Sequence, residues 1–244
     1  MKKPENITNN DWRLLKQKYR NLDRILKKIE ENYPVQYLIG YVEFLDNKII
    51  VNKNVLIPRF ETETLVKKTS QYIKKLKLEE ASVLELGTGS GCISIALKSE
   101  FPSLGITATD ISSKALKVAK RNAKLNKVKF HLIKKNMSKS NFVNKYDVLI
   151  SNPPYIRETD EIDPKTKHEP KIAIYAGKDG FKYYEQIFKI AKKSLNSKYL
   201  IALEIDEEQG KELKKLAKEY FSKANIKIEK DLAGKDRYLF IMNK

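Results

Sequence analysis

The sequence predicts an α/β fold: a doubly wound, mostly parallel sheet preceded by a short helical segment and a β-hairpin. Three observations carry that expectation. From Ser82 onward, short apolar runs alternate with segments whose apolar residues recur every three or four positions. The first run, Val83-Leu84-Glu85-Leu86, ends in a glycine-rich turn, Gly87-Thr88-Gly89-Ser90-Gly91. Asp110 and Asn152 stand at the ends of the second and fourth runs, and open sheets of this kind bind ligands beyond the carboxyl ends of their strands.

Before Ser82 the chain divides at residues 1–33, 34–60 and 61 onward. Asn10 and Asp11 are good helix caps, and Trp12, Leu15, Tyr19, Leu22, Ile25 or Leu26, and Ile29 follow at helical spacing. This predicts one amphipathic helix ending before Pro34, its stripe docked on the rest of the chain. Pro34 to Gly40 leads into Tyr41–Phe44 and Lys48–Val51, a hairpin turning at Leu45-Asp46-Asn47 with an Asp-Asn turn. Val55 to Arg59 then opens a helix reaching about Leu76. Arg59, Glu61 and Glu63 read either as a surface ion-pair group or, with the tight Ile-Pro-Arg loop, as part of a pocket wall.

Residues 61–244 form the main domain. After the strand at Val83–Leu86 a helix runs through Lys98. Ile106–Thr109 is a strand, Ser112 or Ser113 to about Asn126 a helix, Lys129–Ile133 the third strand and Tyr146–Ile150 the fourth. Ile156 to Lys178 reads as a long loop. A helix from near Gly180 to Asn196, a strand at Tyr199–Ile205, a helix at Glu207–Phe221 and strands at Ile226–Lys230 and Arg237–Ile241 complete the chain.

Composition narrows the function. The 244 residues suffice for a sizeable core, and mean hydropathy is −0.54. No apolar run approaches the ~20 residues a membrane helix needs, and no apolar stretch follows Met1-Lys2-Lys3 as in a secretory signal. One cysteine excludes an internal disulfide, and His131 and His168 alone make no metal cluster. A cytoplasmic protein without metal or membrane partner is expected. The net charge of +18 favours an acidic or nucleic-acid partner. Only seven of the 49 cationic residues are arginine, however, and the lysines are scattered along amphipathic segments, as on a solvated surface.

The chemistry concentrates at Ser151-Asn152-Pro153-Pro154-Tyr155, which follows a buried strand. Two prolines fix two φ angles and remove two backbone donors, so the tip presents carbonyl oxygens and one Asn amide. It suits a planar group with two N–H donors, such as a carboxamide or an exocyclic base amine; the plain alternative is a strand-ending turn. The glycine turn lets the backbone approach a ligand closely, and Asp110, nineteen residues after Gly91, is placed to accept from ribose hydroxyls. Cys92 stands where a dinucleotide fingerprint wants its third interval, so a nucleoside without pyrophosphate fits better. Cys92 itself reads as a small packing residue.

These motifs together resemble the class I S-adenosylmethionine-dependent methyltransferases, Rossmann-like enzymes. More narrowly, they are similar to the glutamine methyltransferases that modify peptide chain release factors. The resemblance rests on Glu85 to Gly91, Asp110 and Asn152 to Tyr155. It extends through Pro34, Gln36-Tyr37 and Gly40, through Leu56 to Thr62, Glu169-Pro170, Gly177 to Gly180, Glu204 to Gln209, and Ala233 to Arg237. Phe60 stands where the family usually has proline, Asp206 where it has glycine, and Asn136-Met137 where it has an acid followed by a large apolar residue. The helical segment before Pro34 is shorter than usual.

The resemblance implies S-adenosylmethionine as donor and S-adenosylhomocysteine as product. Gly87, Thr88, Gly89, Ser90, Gly91, Asp110, Met137 and Asn152 would bind the cofactor, Met137 covering the adenine. Asn152, Pro153, Pro154 and Tyr155 would bind the substrate amide. Of these, Asn152, Pro153 and Tyr155 would be catalytic: the Asn152 oxygen and Pro153 carbonyl accepting its two N–H bonds, and Tyr155 packing on its plane. The implied acceptor is the glutamine of the Gly-Gly-Gln tip of class I release factors, with no obligatory nucleic acid. A ribosomal-protein glutamine, an adenine amine of DNA or RNA, and binding without turnover remain as alternatives.

Overall fold

A computed structural model describes residues 2–138 and 142–243; Met1 and Lys244, the outer limits of the expected segments, lie outside the described residues. The centre is a seven-stranded sheet of β3 (Ser82–Leu86), β4 (Gly105–Asp110), β5 (His131–Lys134), β6 (Tyr146–Ser151), β7 (Leu195–Glu204), β8 (Asn225–Lys230) and β9 (Asp236–Asn243). Its order is β5-β4-β3-β6-β7-β9-β8. The strands from β5 to β7 are parallel, and β9 runs antiparallel to both β7 and β8.

Period-two alternation puts the two sides of each strand into different cores. Val148, Ile150, Leu200, Ala202, Tyr238 and Phe240 face one cluster with α4 (Phe60–Leu76), α5 (Cys92–Glu100) and α6 (Ser113–Leu125). Leu149, Ile201, Leu203, Leu239 and Ile241 face the other, with α7 (Lys182–Ser194) and α8 (Gly210–Tyr220). Central strands buried on both faces explain the continuous apolar runs in the sequence.

The single N-terminal helix expected up to Pro34 is instead two, α1 (Asn9–Lys18) and α2 (Asp23–Glu30). Thr8, not Asn10 or Asp11, is the cap, its hydroxyl accepting from the Asp11 N–H at 3.0 Å. Tertiary contacts break the helix. Lys18 Nζ donates to the Leu38 and Ile39 carbonyls at 3.0 and 2.7 Å, and the extended Tyr19 donates its hydroxyl to Leu38 at 2.8 Å. These carbonyls end α3 (Val35–Ile39), a short helix inside the expected connector, where unpaired acceptors and the negative dipole end favour a cation. Trp12, Leu15, Leu22, Ile25 and Ile29 pack with Leu38 and Ile39 in a separate small core.

The hairpin joins β1 (Tyr41–Phe44) to β2 (Asn47–Ile50). Its turn is Leu45-Asp46, not Asp-Asn: Asn47 already pairs with Phe44, and Leu45 and Asp46 take φ of 46° and 63°. Two adjacent left-handed residues give the turn a twist that matches its strands. The expected loop at 156–178 carries 3₁₀ turns at Thr166–His168 and Lys171–Ala173 and a bridge between Ile156 and Tyr175.

Candidate active site

Between β3 and α5 the chain takes left-handed backbone at Gly87 (φ 72°), Gly89 (54°) and Gly91 (84°). Only glycine adopts such a run at little cost. The three serve different ends. A Cβ on Gly91 would stand 3.1 Å from Ala119 Cβ, so that glycine lets α5 and α6 approach. Gly87 and Gly89 instead line a cleft of about 330 Å³, together with Asp110, Met137, Asn152, Leu56 and Ala115.

Thr88 and Ser90 are buried and not among the lining residues. Thr88 acts below the loop, donating to Glu85 Oε2 at 2.9 Å, and the Ser94 hydroxyl donates to the same oxygen. Burial pushes the Glu85 carboxyl up to about 7 against these bonds. Its Oε1 is buried with no partner among the described residues. Asp110, at the end of β4, accepts from Gly89 N at 2.9 Å and Ser112 N at 2.8 Å, which clamps the loop to the next strand. Burial raises its carboxyl too, against those backbone bonds. The Met137 side chain comes closest to the position a Gly87 Cβ would take, at 3.9 Å, and so roofs the loop.

A second cleft of about 280 Å³ adjoins the first, sharing Leu56, Asn152, Pro154 and Ala173. Arg59, Pro153, Tyr155, Glu161, Asp163 and Glu204 line the remainder. Asn152 donates its Nδ2 to the Thr62 hydroxyl at 3.0 Å, and Thr62 donates to Glu204 Oε2 at 2.7 Å. The Tyr155 hydroxyl reaches the other oxygen of Glu204 at 3.4 Å. Glu204 is 1% exposed, and burial pushes its carboxyl up to about 7. Burial, then the Glu204 charge, raises the Tyr155 phenol.

The wall between the clefts is pinned from far along the chain. Glu169, itself buried, accepts from Ile57 N at 2.9 Å and pairs with the Arg59 guanidinium. Of the two expectations for Arg59, the pocket wall is the one its position matches. Thr62, Glu204 and Glu169 have no assigned role in the sequence because their partners lie 90 to 142 residues away. The only signal was their membership in the quoted motifs. Cys92 is buried and burial drives its thiol up to about 12, the opposite of an activated nucleophile.

A family model described as Methyltransferase small domain matches residues 59–170. A release factor glutamine methyltransferase of Flavobacterium psychrophilum is 36% identical over 223 residues, 89% of this chain and 78% of that protein. One of Lactococcus lactis is 34% identical over 240 residues, 97% of this chain and 85% of that protein. Among solved structures, a methyltransferase from Pyrococcus furiosus matches with TM-score 0.57 and 20% identity, covering 91% of this chain and 98% of its own. A 16S rRNA methyltransferase of T. thermophilus in complex with AdoMet and guanosine matches with TM-score 0.58 and 12% identity, covering 84% and 50%. At these identities the two structural likenesses concern the fold.

Proposed function

The chain belongs to the release factor glutamine methyltransferase family, and on that premise we propose that it methylates the side-chain amide nitrogen of the Gly-Gly-Gln glutamine in class I peptide chain release factors. The strongest structural support is that two clefts meet at Asn152 and Pro154. A transfer reaction needs donor and acceptor sites that share one rim.

The first cleft suits S-adenosylmethionine. Gly87 and Gly89 leave room where a Cβ would intrude, Asp110 offers a carboxylate at the end of β4, and Val55, Leu56 and Met137 supply apolar cover for a base. The Oε1 of Glu85 is a buried acceptor beneath the loop with no donor among the described residues. When bound, the cofactor supplies an electrophilic methyl on a sulfonium and leaves as S-adenosylhomocysteine.

The chain's own part is positioning. A carboxamide nitrogen is a poor nucleophile because its lone pair is delocalised. Asn152 Oδ1 and the Pro153 carbonyl accept its two N–H bonds and fix its direction, while Tyr155 covers the amide plane and keeps water out. Such positioning is worth roughly 7–11 kcal/mol when geometry is good. Asn152, Pro153 and Tyr155 are thus the catalytic residues, with Pro154 shaping the shared rim. The reaction requires no nucleic acid and belongs in the cytoplasm, where translation factors work. Among the described residues no helix is long and apolar enough to cross a membrane.

The test offers labelled S-adenosylmethionine with an intact class I release factor, the same factor with its Gly-Gly-Gln glutamine changed to alanine, and duplex DNA. Label on the intact factor alone is expected. Label on DNA would transfer the chain to the base-amine class, and label on neither would favour the ribosomal-protein substrate or binding without turnover.

A further inference from the structure

We propose that Glu204 is a positioning residue whose carboxylate decides which atom of the Asn152 amide faces the acceptor glutamine. The proposal rests on the substrate reading above and extends it to a buried carboxylate at the back of the acceptor cleft that acts through Thr62.

Thr62 has a single hydroxyl proton and stands between two partners, Asn152 Nδ2 at 3.0 Å and Glu204 Oε2 at 2.7 Å. An ionised carboxylate can only accept. The Thr62 proton therefore points to Glu204, and the Thr62 lone pair is left to accept from Asn152. This turns the Asn152 nitrogen inward and its Oδ1 outward, toward the cleft that Pro153 and Tyr155 line. The acceptor's N–H₂ then meets an oxygen. A neutral group at 204 is able to donate to Thr62. The Thr62 proton would then turn to Asn152, the amide would rotate, and an N–H₂ would face the N–H₂ it must hold. The second carboxylate oxygen receives the Tyr155 hydroxyl at 3.4 Å, so one buried anion orients both ends of the clamp.

The surroundings of Glu204 leave its charge finely balanced. Arg237 on β9 favours the ionised form, and Glu61 in the first turn of α4 opposes it. Thr62 and Tyr155 donate to the carboxylate, Tyr184 of α7 bonds the Glu204 carbonyl at 3.1 Å, and Tyr238 of β9 lies in its field. With burial added, the carboxyl titrates near 7. Methyl transfer should therefore be lost on acidification as the carboxylate is neutralised.

The experiment measures kcat of the full chain on an intact release factor from pH 5.5 to 9 at saturating S-adenosylmethionine, with cofactor affinity measured separately by calorimetry. The wild type should show an acid limb with midpoint near 7. Glu204→Gln should lower kcat by about 10- to 100-fold at pH 8 and abolish the limb, as expected for losing a charge-assisted hydrogen bond from the clamp. Its cofactor affinity should stay within about twofold, since the change spares the donor cleft. Thr62→Val should lower kcat similarly, and Thr62→Ser, which keeps the hydroxyl, should recover most of it. Glu204→Gln with the wild-type kcat and acid limb would overturn the proposal, as would Thr62→Val equal to Thr62→Ser. If Glu204→Gln fails to bind cofactor, the Thr62 pair alone decides. Failure of the substrate reading shows separately: the wild type would then label no release factor at any pH.

Discussion

Asn122 on α6 grips Ile50 on β2 by both of its backbone groups. Its Oδ1 accepts from Ile50 N at 2.8 Å, and its Nδ2 donates to Ile50 O at 3.0 Å and to Ser90 O at 2.9 Å. One turn on, Asn126 repeats the pattern with Lys48, at 3.2 and 2.9 Å. Two amides spaced i, i+4 thus take the place of a neighbouring strand for the hairpin edge, and the buried one also ties the hairpin to the glycine loop.

Asn122→Ala should therefore act on stability and on the cofactor site together. It leaves the buried Ser90 carbonyl and two half-buried backbone groups of Ile50 without their partner, a loss of about 1–3 kcal/mol. Urea denaturation checks the stability, and calorimetry should show weaker cofactor binding from the loosened loop. A variant as stable as the wild type would show that water replaces the amide.

The glycine loop predicts a dissociation between two small changes. Gly91→Ala meets Ala119 Cβ at 3.1 Å with φ at 84°, so it should destabilise the fold by about 1–3 kcal/mol. Gly89→Ala has nothing within 4 Å of its Cβ, so it should cost only the left-handed backbone strain at φ 54°, about 1 kcal/mol, yet the added methyl enters the cleft and should weaken S-adenosylmethionine. Equal thermal shifts and equal affinities in the two variants would contradict that division.

Asp110 and Asn152 should separate binding from chemistry. Asp110→Ala should weaken the cofactor by about 1–3 kcal/mol, because it removes the ribose acceptor and frees Gly89 N. Asn152→Ala should abolish methyl transfer while cofactor affinity changes little. Unchanged affinity in the first would place the ribose elsewhere, and full activity in the second would sink the amide clamp.

Glu85 predicts a pH dependence of stability. Its folded value is raised from 4.5 to about 7, so the native chain binds the proton more tightly than the unfolded one. Its contribution is most favourable at and below the unfolded value and is lost as pH rises toward 7, at about 1.4 kcal/mol for each pKa unit. Denaturation midpoints between pH 5 and 7 should fall with pH, and Glu85→Gln should lessen that slope while Glu204, raised likewise, keeps its own share. Parallel slopes would mean that Glu85 does not titrate in this window.

Local signals in the chain specify the layered sheet and the location of its ligand end. Apolar runs such as Val148-Leu149-Ile150 specify strands buried on two faces, and the glycine turn, Asp110 and Asn152 fall at strand ends because local backbone chemistry puts them there. Those signals are short-range, carried by period, turn residues and φ restrictions within a few positions. The break at Tyr19, the 3₁₀ turns that bring Ala173 to both clefts, and the Glu169 anchor of Arg59 arise from contacts across the fold. So does the direction of the Asn152 amide, which depends on a hydroxyl 90 residues earlier in the chain. Folding sets these features, because hydrogen bonds between distant residues leave no periodicity in the sequence and form only when packing excludes the water that would otherwise satisfy them.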